Sequence, residues 1–122
     1  MCPAALEVVF SALITSRILY CVSVWGGFVN QAEVSKIDGL LKRSKKFGYC
    51  SVASNFETML IKADKLLFKK AQSNQHCLFH MLPSIRRTTS FLRDRGHPFT
   101  LPTCTFDLFK RSFINRMLFS QM

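Results

Sequence analysis

A chain of 122 residues and 14.0 kDa can hold one domain's core but is too short for a polymerase, kinase or transporter. Its 48% apolar content argues against disorder, and seventeen Lys plus Arg against seven Asp plus Glu, a formal charge of +10, favour a polyanionic partner. Sixteen of the seventeen basic residues lie at or after Lys36, so the charge is concentrated, not uniform.

Leu6 to Trp25 reads as a largely buried helix: Leu6, Phe10, Leu13, Ile14, Ile18, Cys21 and Trp25 keep three-to-four spacing, and Gly26-Gly27 stops it. The β-branched run from Val22 to Val24 leaves its last turn open to an extended form. Asn30 with Glu33 forms a capping-box pattern for a second helix, whose apolar face is Val34, Ile37, Leu40 and Leu41. Those four fall within an arc of roughly 120°, and Lys36, Lys42, Arg43, Lys45 and Lys46 are expected on the opposite half. A second box, Ser54 with Glu57, opens a helix to about Gln72. In it Phe56, Met59, Leu60, Ala63, Leu66 and Leu67 are expected inward and Lys62, Lys65 and Lys69 outward.

His76 to Leu82 can make two further turns before Pro83. From Ser84 to Cys104 no periodicity survives, and Gly96, Pro98 and Pro102 impose turns. Thr105 then caps a final helix in which Phe106, Phe109, Phe113 and Met117 keep helical spacing. The chain therefore reads as mainly α, a small domain of about four to five helices with a long irregular loop before the last. Residues 1–83 form the helical region and 84–122 the basic-aromatic loop and C-terminal helix, together one structural unit.

Catalytic constellations are absent from the sequence. The seven acids are scattered singly, whereas two-metal phosphoryl chemistry needs clustered carboxylates. Gly26-Gly27 is followed by Phe28, with no Lys-Ser/Thr to make a phosphate loop. Cys77 and His80, three apart, could chelate zinc from one turn, with His97 and Cys104 as a second pair. Six residues separate that second pair, which fits no common zinc spacing, so a buried thiol and hydrogen-bonded histidines are favoured over a metal. No cofactor is implied. The five cysteines are odd in number and lack any Cys-x-x-Cys, and the N-terminal residues lack a secretory n-region, which together indicate an intracellular place, cytoplasmic or nuclear.

The last third carries the strongest signal. In LRDRGHPFTLP and FKRSFINRMLF, basic residues alternate with phenylalanines, a pattern suited to phosphates and unstacked bases. The binding set read from the chain is Lys36, Lys42, Arg43, Lys46, Lys62, Lys65, Lys69, Arg93, Arg95, Lys110, Arg111 and Arg116.

ITSRILYCVSVWGG, ADKLLFKK, HCLFHMLPSIRR, LRDRGHPFTLP and KRSFINRMLF, in that order, resemble the region that follows the polymerase core in reverse transcriptases of non-LTR retrotransposons. The resemblance spans nearly the whole chain. In that family a Tyr-x-x-x-x-Trp element, here Tyr20 to Trp25, ends an early thumb helix, and a Ser-Phe-x-x-Arg segment, here Ser112, Phe113 and Arg116, lies near the end of the frame. Asn115 and the Phe119-Ser120 ending depart from the family's Pro before that Arg and Trp-Asn after it. The resemblance implies a non-catalytic thumb and C-terminal fragment, a remnant opened at Met1, that grips template RNA or RNA/DNA hybrid and in the parent protein packs on a polymerase palm. There is no aromatic-x-Asp-Asp turn and no endonuclease region; Ala63-Asp64 is followed by Lys65 inside a helix.

The competing class is a small basic membrane or interaction protein, with Val8 to Val29 as the span and Lys36 to Lys46 at the lipid surface. Arg17 near the middle of that stretch costs roughly 2.5–3.5 kcal/mol on insertion scales, and Ser11, Thr15, Ser16 and Ser23 dilute it further. These residues favour a globular helix over a span.

Overall fold

The computed structural model describes residues 2–86 and 96–120. The described residues are mainly helical, with one isolated antiparallel bridge, Ile85 to Phe99. The chain divides into two compact units, Met1–Ala63 and Asp64–Met122. The division falls inside a helix, not at Pro83 where the change in composition lies.

The first unit begins with α1 (Pro3–Leu19). Pro3 sits at the first helical position, where its missing N–H costs nothing. A π-helical stretch, Ser11–Thr15, interrupts α1. The expected single helix to Trp25 breaks at Tyr20, which is extended, and Cys21, which is left-handed at φ 48°. For a side chain with a Cβ that conformation costs roughly 1–2 kcal/mol. The break is held from the far side, because the Trp25 indole N–H donates to the Tyr20 carbonyl at 2.8 Å. Beyond it α2 (Val22–Trp25) is helical, not extended, and a 3-10 turn, Gly26–Phe28, follows. Val22 and Ser23 are buried, and the Trp25 ring stacks on Phe56 with centroids 5.4 Å apart. Gly26 packs closely on Leu60: a Cβ there would lie 2.5 Å from Leu60 Cδ1, so the leucine side chain would have to move to admit one.

The capping box forms as expected at α3 (Gln31–Lys46): Asn30 Oδ1 accepts from the Glu33 N–H at 2.9 Å, and Glu33 Oε2 accepts from the Asn30 N–H at 3.0 Å. Its other end is a Schellman closure. Tyr49 N–H reaches Ser44 O at 2.9 Å and Gly48 N–H reaches Lys45 O at 3.0 Å, with Gly48 at φ 79°. Leu41 and Ser44 are buried, while Leu40, assigned inward from spacing, is 39% exposed.

The helix α4 (Phe56–Ala71) starts one residue later than the Ser54/Glu57 pattern suggests. The capping oxygen belongs to Asn55, whose Oδ1 accepts from Thr58 N–H at 2.8 Å, and Asp38 on α3 accepts from Phe56 N–H at 2.8 Å. Two carboxamide or carboxylate oxygens therefore satisfy donors that the helix start leaves open. The buried stripe also differs from expectation. Phe56, Asp64, Phe68 and Ala71 are buried and Leu66 is 56% exposed, a rotation of roughly 70° about the helix axis.

In the second unit a 3-10 turn, Cys77–Met81, is capped by His76, whose Nδ1 accepts from Leu78 N–H at 3.2 Å. The flanks of the expected irregular loop are paired: Arg86 N–H donates to Pro98 O at 2.7 Å and Thr100 N–H to Ser84 O at 3.0 Å. Phe99 goes into a core of Phe68, Met117 and Leu118, against which Leu82, Leu101, Phe113 and Ile114 pack. The expected single terminal helix is two. α5 (Asp107–Arg111) follows Phe106, with no side-chain cap from Thr105, and extended Ser112 separates it from α6 (Phe113–Ser120).

The cap assignment gives a direct expectation. Asn55→Ala lowers the urea unfolding free energy by about 1 kcal/mol at unchanged m-value, whereas Ser54→Ala changes it by less than about 0.5 kcal/mol. The reverse ranking of the two midpoints would contradict the Asn55 cap.

Candidate nucleic-acid interface

Each unit presents basic side chains to solvent for a reason fixed by its helices. On α3, burial of Leu41 and Ser44 sets the inner line, and Lys36, Lys42, Arg43, Lys45 and Lys46 are all exposed. On α4, the inner line through Phe56, Asp64, Phe68 and Ala71 leaves Lys62, Lys65 and Lys69 on the opposite side, all exposed, with Lys70 also exposed. The corrected rotation of α4 places those lysines more squarely outward than the stripe inferred from spacing does. Along the axis, Lys62 to Lys69 spans about 10 Å at 1.5 Å per residue.

Lys110 and Arg111 on α5 are exposed too, but both have local partners. Lys110 Nζ lies 4.7 Å from the Phe119 ring centroid, and Arg111 pairs with Asp107 at 2.9 Å. That second pair is open to water at both ends, so it is worth about 0–1 kcal/mol and yields readily to another anion. Arg93 and Arg95 lie outside the described residues.

Arg116 does not belong with these surface cations. Its Nη2 lies 3.0 Å from both Asp64 oxygens and its Nε 3.2 Å from Oδ2, while Nη1 donates to the Arg111 carbonyl at 2.9 Å. The Asp64 side chain is 3% exposed and that of Arg116 18%. A forked, buried guanidinium–carboxylate pair is an internal brace, not a phosphate contact. Spacing contains its signal: Phe56, Leu60, Asp64 and Phe68 follow at steps of four, which threads an acid through an apolar stripe. An acid on that line needs a buried cation, and Arg116 is that cation.

The weak zinc candidates Cys77, His80, His97 and Cys104 are not brought together, and of the favoured alternative the hydrogen-bonded histidine is found at His97 while the Cys77 thiol is exposed, not buried. Among the described residues no three His, Cys, Asp or Glu side chains are grouped to hold a metal. Cys77 and His80 are exposed, Cys104 is half-buried and His97 is buried. Both His97 nitrogens are engaged by the backbone: Phe99 N–H donates to Nδ1 at 3.2 Å, which leaves the ring proton on Nε2 to donate to Leu118 O at 2.6 Å. The ring also meets the edge of Phe68, with centroids 6.2 Å apart. His97 therefore ties the Pro98 turn to α6.

The first unit holds a cavity of about 200 Å³ lined by Glu7, Phe10, Ser11, Thr15, Cys50 and Met59 among others. The Glu7 carboxylate accepts from the Ser51 hydroxyl at 2.7 Å, and no Lys or Arg lines the space. Such a lining offers nothing to a phosphate. No single helix among the described residues is long and apolar enough to cross a membrane, although Pro3–Leu19 with Val22–Phe28, bent by 40°, meets that test as a pair.

Asp64→Ala leaves the Arg116 charge partly buried without its acid, and is expected to destabilise the fold by roughly 3–5 kcal/mol. Asp64→Leu/Arg116→Met, which removes both charges, recovers most of that loss in urea unfolding. A single-variant cost below about 1 kcal/mol would assign the pair to the surface class.

No family model, no curated protein and no solved structure matches the chain.

Proposed function

We propose that this chain is a non-catalytic nucleic-acid-binding element that holds template RNA or RNA/DNA hybrid through the basic faces of α3 and α4, as its resemblance to the C-terminal region of non-LTR reverse transcriptases implies. The observation that carries the reading is the exposed row Lys62, Lys65 and Lys69, set opposite a buried line on one helix. Over about 10 Å of helix axis it sets three cations in one row, an arrangement suited to a line of phosphates. The lysine heads are point charges on flexible stems, which suits backbone contact without sequence readout. Lys36, Lys42, Arg43 and Lys46 on α3 supply a second such face, and the resemblance adds a polymerase palm as the partner in the parent protein. Five free cysteines are compatible with an intracellular place, cytoplasmic or nuclear.

A second reading has one observation in its favour. The bent pair Pro3–Leu19 and Val22–Phe28 is apolar, and Val8, Leu13, Tyr20 and Val24 are each more than half exposed. Sedimentation with membranes that resists carbonate would support that reading against the first.

Titration of a labelled RNA/DNA hybrid against the full chain tests the proposal. Affinity is expected to fall steeply between about 50 and 200 mM salt. Lys62→Ala/Lys65→Ala/Lys69→Ala should flatten the slope of log K against log salt by about 2–3, with helix content kept because all three side chains are exposed. Binding that ignores salt over that range, or no binding at low salt, would overturn it.

A further inference from the structure

α5 is an anomaly of packing. It is five residues long and buries none of its side chains, whereas a helix this short has no stability of its own in water. It is held by its carbonyls instead. Phe109 O accepts from the Ser112 hydroxyl at 2.8 Å and from Asn115 Nδ2 at 2.9 Å, and Asn115 is itself 7% exposed. Arg111 O accepts from Arg116 Nη1 at 2.9 Å, so the brace to Asp64 extends to this turn. The polar groups of α6 thus fix the backbone of α5 while its side chains face water.

Those side chains are large and apolar: Phe106 is 75% exposed, Leu108 68% and Phe109 54%. Lys110 and Arg111 follow directly, both exposed. The unit as a whole carries ten Lys or Arg against three acids. An unpaired nucleic-acid strand suits both features at once, because its bases stack on aromatic faces and its phosphates meet the cations. A duplex offers no free base faces, so the rings distinguish strand from hybrid.

We infer that Phe106, at the N-cap of α5, and Phe109 on α5 form a stacking platform for unpaired bases, with Lys110 and Arg111 taking the adjoining phosphates. This inference rests on the nucleic-acid reading above and deepens it, since it selects unpaired strand over hybrid at this surface, a choice that the lysine rows alone do not make.

The test compares a fluorescein-labelled oligo-uridine of about twelve nucleotides, within the usual range of single-strand site sizes, with the labelled hybrid, using the full chain. Phe106→Ser/Phe109→Ser should weaken oligo-uridine binding by roughly 5-fold or more per ring and leave hybrid binding and its salt slope unchanged. Phe106→Leu/Phe109→Leu, which keeps an apolar surface but removes the rings, should lose as much. Strand affinity that survives in the leucine variant overturns the platform, as does a parallel loss on strand and hybrid. A wild-type chain that binds hybrid but not oligo-uridine also overturns it while the lysine reading stands; binding of neither removes both. Concentration-dependent self-association abolished by the serine variant, with strand binding intact, would assign the patch to a second copy of the chain.

Discussion

The carboxylate of Asp64 sits in the middle of α4, 2% exposed, on the line that also buries Phe68 and Ala71. A charge there is costly unless it is paired and hydrogen-bonded, and Arg116 does both through a fork from α6. Much of the second unit follows from that demand. The pair fixes which side of the Asp64–Ala71 part of α4 faces the second unit's core, which puts Phe68 beside Phe99, Met117 and Leu118 and turns Leu66 out. It also fixes the facing side of α6, and through Arg116 Nη1 the position of α5. A hydrophobic pair of equal volume could be as stable, but it would have no spare donor for the Arg111 carbonyl. The geometric function of the ion pair is to join three helices at one guanidinium.

The first unit solves a similar problem without charge burial. Its chain turns at Tyr20-Cys21 and again after Lys46, and at each place a carbonyl or amide that a helix end leaves open is met by a specific donor or acceptor. Trp25 Nε1 closes the first turn at Tyr20 O, and the Gly48 closure ends α3. Asp38 reaches across to the first amide of α4. Trp25 then stacks on Phe56, so the residue that closes the turn also packs at the start of α4.

Periodic and capping signals made much of this legible. The helical class, the Asn30-Glu33 box and the outward lysines of α3 and α4 follow from spacing because each is a local property of one helix. What spacing missed depends on contacts far apart in the chain. Leu66 outscores Asp64 on any hydropathy rule, and only a partner fifty-two positions away, Arg116, reverses their order. Cys21 at φ 48° carries no sequence mark of a left-handed residue, since its compensation is the Trp25 indole. The final helix reads as continuous because Phe106, Phe109, Phe113 and Met117 keep step, yet Ser112 is extended and its hydroxyl bonds back to Phe109 O. That His97 is a hydrogen-bonded histidine is the favoured reading of the sequence, but its two backbone partners, Phe99 and Leu118, are invisible to motif spacing.

Trp25, Ser112, Phe113 and Arg116, which stand out in the sequence, each have a physical role inside the fold. Trp25 closes a turn on Tyr20, Ser112 closes one on Phe109, Phe113 packs on the core, and Arg116 braces Asp64. All four interactions are internal, so these motifs specify how the backbone folds back on itself. What the fold leaves outside are the lysines of α3 and α4 and the phenylalanines at α5. Flexible lysines on long helices can follow a phosphate backbone with little cost in sequence constraint. The backbone of α5 is held by polar groups of α6, the buried Asn115 and the partly buried Arg116. An arginine read from sequence as a phosphate contact thus acts one step back, holding the turn that carries the aromatic surface.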